Sequence, residues 1–254
     1  MSSDDNYLDH ISGEFEPDMV GLFKALATDS ITAIDVGANI GCTSLLFSTL
    51  ARDVYAFEPS KTTFSFLRKN IERSGATNVH LVNIGLGDKA GEYPLTFSPT
   101  NRSGGFVSNQ TLASVGHVTE AINIETMDSI CSSLNIPAVD FIKIDVEGFE
   151  ASVLRGGKYT IQRNKPTVVL ELNHWCLNAF QRTSVPDFLD ELRSIFPILL
   201  AVEGKSYMNL HDTSDSYIVM YNHILRRKYP NIIAAFSEDK LSQFRTQYSH
   251  RPFH

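Results

Sequence analysis

Five short apolar runs rich in β-branched residues punctuate the chain: ITAIDV (31–36), DVYAFE (53–58), VHLVNI (79–84), DFIKIDV (140–146) and TVVLEL (167–172). Runs of this length and composition predict strands. Between the first three lie TSLLFSTLA and TTFSFLRKNIERSG, in which apolar residues recur near helical spacing. In the second, Phe64, Leu67 and Ile71 fall at i, i+3 and i+7, and Gly75 supplies a stop. Strand–helix–strand units of this size join parallel strands through right-handed crossovers. The pattern predicts an α/β fold with a doubly wound, Rossmann-like sheet, mostly parallel.

Two stretches break the rhythm. Residues 92–128 are polar and turn-rich, with alternation in INIETM, and predict a hairpin or loop insertion before the fourth strand. FPILLAVEGKSYMNLHDTSDSYIVMYNHIL predicts two strands around a polar loop, an antiparallel edge strand pair near the C-terminus. EPDMVGLFKALATDS predicts a helix within residues 1–30, packed over the entrance to the site. With no internal repeat, low-complexity tract or linker, residues 1–254 read as one domain, with 92–128 as an insertion and 195–254 as an edge hairpin and C-terminal helix.

Composition narrows the function classes. The formal net charge is −7, whereas proteins that live on nucleic acid carry a basic stripe. The basic cluster ILRRKYP reads as a solvated helix face rather than a binding patch. Apolar runs fall short of a membrane span, and the acidic start MSSDDNYLDH lacks the order of a signal peptide. Cys42, Cys131 and Cys176 have no metal-ligand spacing and read as free thiols of a cytoplasmic protein.

The chemistry begins at AIDVGANIGCTS (33–44). A dinucleotide loop after the first strand would read G-x-G-x-x-G; counted from Gly37, its second and third glycines are Asn39 and Cys42. Asp35, two residues before Gly37, repels a pyrophosphate but suits a ligand with an ammonium and a sulfonium, such as S-adenosylmethionine. Gly37, Ala38 and Gly41 would let the backbone approach that ligand, and Asn39 or Thr43 would meet its carboxylate. Glu58 follows Gly41 by 17 residues at the end of the second strand, where an acid can accept both ribose hydroxyls. Pro59 stands beside it, and Ile84, Gly85 and Leu86 after the third strand would wall the adenine.

At the fourth strand, alternation puts Lys143, Asp145 and Glu147 on one side, with Asp145 at the mouth of the sheet. A buried Lys143 needs a partner, for which Asp145 and Glu171 are candidates. The fifth strand ends in Glu171, Asn173 and His174. A hydroxyl acceptor is helped by a base, for which His174, Glu147 and Asp145 are candidates. Trp175 beside His174 suits a sugar ring. Asp145, Glu171 and Asn173 are also oxygen donors of the type that holds Mg²⁺; the metal-free reading is preferred. The irregular SPTNRSGG (98–105) predicts a mobile loop at the mouth, with Arg102 available to an acceptor.

IDVGANIG, YAFEPS, VNIGLGD, ETMDSI and residues 139–157 together resemble the FkbM family of S-adenosylmethionine-dependent methyltransferases, a resemblance that runs from about 31 to 175. It implies a class I methyltransferase fold and methyl transfer to a hydroxyl of a sugar, glycan or related natural product. The alternatives are methylation of another small molecule or peptide at N or O, and a scaffold that keeps the cofactor fold without the chemistry. The acceptor would be bound by the segments that the motifs do not cover, 92–128 and 180–254.

Overall fold

A computed structural model describes residues 1–6, 8, 16–27, 31–108 and 116–251. The five apolar runs become the strands β1 (Thr32–Val36), β2 (Asp53–Phe57), β3 (Val79–Val82), β8 (Phe141–Ile144) and β9 (Thr167–Glu171), all parallel. Helix α1 (Pro17–Leu26) precedes them, α2 (Cys42–Ser48) follows β1, and α3 (Lys61–Ser74) follows β2. Ser60 caps α3 by accepting the Thr63 amide at 3.2 Å, and Gly75 closes it at φ 74°. Its buried stripe is the expected one, Phe64, Leu67 and Ile71.

The 92–128 stretch is more regular than a loop. β5 (Gly91–Ser98), β6 (Asn101–Val107) and β7 (Val118–Glu125) join β4 (Gly85–Leu86) in a second sheet of order β4-β7-β5-β6. One face of it buries Leu95, Phe97, Ile122 and Ile124 together. Residues 109–115 lie outside the described ones.

After β7 come α4 (Met127–Ser133), then β8, α5 (Glu150–Gly156), α6 (Lys158–Asn164), β9, α7 (His174–Gln181) and α8 (Val185–Ile195). The C-terminal part holds β10 (Ile198–Glu203), β11 (Ser206–Asn209), α9 (Thr213–Arg226), β12 (Asn231–Ala235), α10 (Ser242–Gln247) and β13 (Ser249–His250). Among the described residues the main sheet runs β13-β11-β10-β12-β9-β8-β1-β2-β3. The fold is α/β and mostly parallel, and the antiparallel edge starts where β12 pairs with β9.

Two details of that edge differ from the sequence reading. SYIVMYNHIL belongs to helix α9, not to a strand. Its aromatic and β-branched residues mimic strand composition, but Ser216, Val219 and His223 form one buried helical stripe, and Asp212 caps the helix by accepting the Asp215 amide at 2.9 Å. The second antiparallel partner of β10 is instead β12, from NIIAA, in which the apolar residues 232–235 are buried between two strands.

Alternate strand residues feed two cores. Ile34, Val36, Ile142, Ile144, Val168 and Leu170 pack on one face; Ala33, Phe141 and Val169 pack on the other with Phe23 and Phe47. Helix α1 therefore serves mainly as a sheet cover: Phe23 lies 4.9 Å from Phe47 and 5.8 Å from Phe141, ring centre to ring centre. Only its beginning, Glu16 and Met19, borders the site.

Candidate active site

The chain leaves β1 outward to β2 and β3, then returns to the other side at β8. The strand order therefore reverses between β1 and β8, and open α/β sheets bind ligands outside the strand ends at that point. A cavity of about 270 Å³ lies there.

Its floor is the turn after β1. Gly37 has φ 75°, and a Cβ on it would stand 2.0 Å from the Asp145 carbonyl oxygen, so the two strand ends approach too closely for any side chain. Gly41, at φ 98°, has only room for hydrogen because a Cβ would meet Leu67 on α3 at 2.7 Å. It shapes the turn from beneath and does not line the cavity. Ala38, Asn39 and Thr43 do line it.

Glu58 is buried at the end of β2. One carboxylate oxygen accepts the Asn39 amide at 3.0 Å and the other accepts the Ser60 amide at 2.9 Å. Burial pushes its pKa up to about 7 against these two donors. Pro59, Gly85 and Leu86, with Ile124 and Phe149, form an apolar wall of the cavity. Ile84 points elsewhere and packs against the core of the main sheet.

Asp35 was expected to meet an ammonium. It is 0% exposed and does so indirectly at most, because β1 and β8 pair Asp35 with Lys143 in register. One Asp35 oxygen accepts the Ser44 hydroxyl at 2.6 Å, and the other lies 3.4 Å from Lys143 Nζ. Lys143 also donates to the Gly37 carbonyl at 3.0 Å and reaches Asp145 at 3.4 Å. Asp145 and Asp35, outweighing desolvation, hold this amine charged well above its ordinary range. Lys143 is therefore no base. It fixes the glycine turn and the Asp145 side chain, which is 42% exposed at the cavity.

Beyond Ile144 the alternation ends. Glu147 takes a left-handed φ of 51° and Gly148 one of 94°. Glu147 accepts the Cys176 thiol at 3.0 Å and the Asn173 amide at 3.4 Å on the same oxygen. Burial, then Asp145, pushes its pKa up to about 7. Glu171 is raised as well, by burial and by the Asp145 and Glu147 carboxylates. Single oxygens of Asp145, Glu147 and Glu171 all lie within 4.8 Å of one another.

Glu147 and Glu171 also line a second cavity of about 450 Å³, together with Phe106, His174, Trp175 and Arg227. His174 thus sits in this neighbouring space and not in the first. Its backbone amide donates to His223 Nε2 at 3.3 Å, while His223 Nδ1 is held 2.7 Å from the Lys228 carbonyl. Burial and Arg227 lower the His174 pKa, which keeps the ring neutral at pH 7.

Arg102 is not on a loose loop. It lies in β6, its guanidinium paired with Asp4 and its amide donating to Asp5 at 2.8 Å. The N-terminal residues also reach Asn70 on α3, where the Ser2 amide donates at 2.7 Å and the Asn70 amide returns a bond to Ser2 at 3.0 Å. Residues 2–5 therefore bridge α3 and the insertion sheet beside the first cavity. These partners are separated by 60 or more positions in the chain and carry no motif, so pattern reading misses them.

The chain matches the Methyltransferase FkbM domain over residues 35–202. It belongs to the FkbM methyltransferase family. It is 32% identical over 147 residues to the hexuronic acid methyltransferase AglP of Haloferax volcanii, over 58% of each chain. It is 26% identical over 148 residues to the 2-O-methyltransferase NoeI of Sinorhizobium fredii, over 52% of this chain and 59% of that one. The match thus spans less than two thirds of these relatives. An FkbM methyltransferase from Methylobacillus flagellatus, solved as a crystal structure, aligns with a TM-score of 0.48 at 21% identity, over 67% of this chain and 38% of that one.

The cofactor of this FkbM chain is S-adenosylmethionine, and the first cavity is lined by groups that could hold it. Glu58 could offer a ribose a carboxylate whose orientation two amides already fix, Leu86 and Phe149 could offer a base apolar surface, and Asp145 could offer a cation an exposed carboxylate. Glu58→Ala removes charge-assisted bonds worth about 1.5–3 kcal/mol each, so cofactor affinity measured by calorimetry should fall at least about tenfold. Parent-like affinity in a folded variant would remove Glu58 from the site.

Proposed function

We propose that this FkbM chain is an O-methyltransferase that acts on a hydroxyl of a sugar or glycan. The observation that carries the reading is the meeting of two cavities at Glu147 and Glu171: one is lined by groups suited to the cofactor, the other is lined by the exposed Trp175 and the buried Phe106. Trp175 is 60% exposed, edge-on to Phe180 at 5.2 Å, and Phe180 stacks on Phe106 at 3.7 Å. Flat, exposed aromatic surface beside carboxylates is what a sugar ring needs. Two relatives, a hexuronic acid methyltransferase and a 2-O-methyltransferase, support it.

When bound, S-adenosylmethionine supplies an electrophilic methyl group on a sulfonium. The chain's residues have two tasks, alignment and proton acceptance. Lys143 anchors the Gly37 carbonyl and the Asp145 carboxylate, so the cofactor end of the cavity is preorganised. Glu147 stands where the cavities meet, with a pKa near 7, and takes the hydroxyl proton as the acceptor oxygen bonds to carbon.

The acidic trio serves protons in this reading rather than a metal. What supports this is that the Cys176 thiol and the Asn173 amide both aim at one Glu147 oxygen, so that a cation using this oxygen would have to displace them. The test is methyl transfer from labelled cofactor to a panel of neutral and acidic sugars, with and without EDTA. Methylated sugar hydroxyls formed equally in both arms are expected. Transfer only to non-carbohydrate acceptors overturns the acceptor class, and activity abolished by EDTA and restored by Mg²⁺ overturns the metal-free trio.

A further inference from the structure

The basic cluster that the sequence pattern leaves as a solvated helix face has a specific placement. Helix α9 stops at Arg227, which takes a left-handed φ of 53° and donates its amide to the His223 carbonyl at 2.9 Å. That stop turns Arg227 away from its neighbours in the sequence and onto the lining of the second cavity. Among the described residues, its guanidinium has no ion pair and no hydrogen bond.

The charged and titratable groups of this cavity divide into two ends. Glu147 and Glu171 stand at the junction with the cofactor cavity. His117, His174, His223 and Arg227 stand with Trp175 on the remaining lining. His223 is committed: its Nδ1 faces the Lys228 carbonyl and its Nε2 the His174 amide. The ring nitrogens of His174 make no hydrogen bond among the described residues, and a neutral imidazole offers one N–H. A cation and a neutral donor are therefore left available in a chain whose net charge is −7.

Resting on the sugar-acceptor reading above, we propose that the second cavity selects an anionic sugar, its acidic substituent received by the Arg227 guanidinium and the His174 N–H while the ring lies on Trp175. A guanidinium presents several N–H groups in a plane to a carboxylate or phosphate. With the acidic group held at that end, the far side of the ring is directed to Glu147. Arg227 is a specificity-determining residue in this arrangement, and the insertion contributes to the lining through Phe106.

Trp175 is the single tryptophan of the chain, so its fluorescence reports this cavity directly. The full chain, saturated with S-adenosylhomocysteine, is titrated with methyl glucuronoside, glucose 6-phosphate and methyl glucoside. An anionic sugar is expected to bind at least about tenfold more tightly than the glucoside, and which of the two does so identifies the substituent. Arg227→Gln should erase that preference, and Arg226→Gln on the same helix should keep it. Equal affinity for all three sugars, or a preference that survives Arg227→Gln, overturns the proposal. Methyl transfer is followed in the same preparations. Turnover of neutral sugars with no effect of Arg227→Gln sinks only the anionic specificity, whereas turnover of no sugar at all sinks the acceptor reading on which it rests.

Discussion

Glu147→Gln is expected to lower kcat by about 10²–10⁴-fold, the range that proton transfer by a positioned side chain supplies, while S-adenosylhomocysteine binds nearly as in the parent. The amide keeps the shape of the side chain and an oxygen for the Cys176 thiol, which lies 3.0 Å from the carboxylate in the parent, so the local packing survives. What is lost is the ability to accept a proton. The pH profile provides a second readout. Burial and Asp145 push Glu147 up to about 7, and only its ionised form can act as base. The parent rate should therefore rise with pH through an apparent value near 7 and level off above it. The Gln variant should lose that limb. His174→Ala supplies the contrast: in the neighbouring cavity it should raise the acceptor KM more than it lowers kcat. A collapsed kcat in His174→Ala with a nearly silent Glu147→Gln would move the base to the imidazole.

Lys143→Met carries the largest expected effect on stability. Lys143 is buried and faces the fully buried Asp35 at 3.4 Å, with Gly37 and Asp145 as its other contacts. Removing one partner of a buried ion pair leaves an uncompensated charge, at a cost of about 3–5 kcal/mol. Urea denaturation should show a lower midpoint with an unchanged slope. Pairing it with Asp35→Asn removes the stranded charge and should recover a large part of the loss. The double variant should still bind the cofactor poorly, because the Gly37 carbonyl and Asp145 have lost their anchor. A single Lys143→Met variant as stable as the parent would refute the account of this pair.

How far the sequence reached depends on the range of each interaction. The strands β1, β2, β3, β8 and β9 were legible because each is an apolar run between turn signals, information contained in about six consecutive residues. The position of Glu58 was legible for the same reason: it follows β2 directly and so lines the cavity at the strand ends. Helix α9 was misread because Tyr217, Ile218, Val219 and Tyr221 have strand composition, while its helical stripe rests on Ser216 and His223, polar types that a hydrophobic pattern passes over.

The roles inside the site were decided by register and by the chain's return from distant positions. Asp35 and Lys143 are 108 positions apart in the chain; what makes them a pair is that β1 and β8 lie side by side with Asp35 opposite Lys143. Glu147 left the strand alternation because Glu147 and Gly148 both take left-handed backbone, and the turn they form carries its carboxylate to Cys176 and Asn173. The second cavity combines Phe106, Trp175 and Arg227 from three separate segments. By itself the sequence determined the family and the repeating strand–helix–strand units of the sheet, since these rest on local pattern and contiguous motif. Only the tertiary structure decided which acid is buried in an ion pair and which is turned to the cavity, because burial and pairing are properties of the assembled chain.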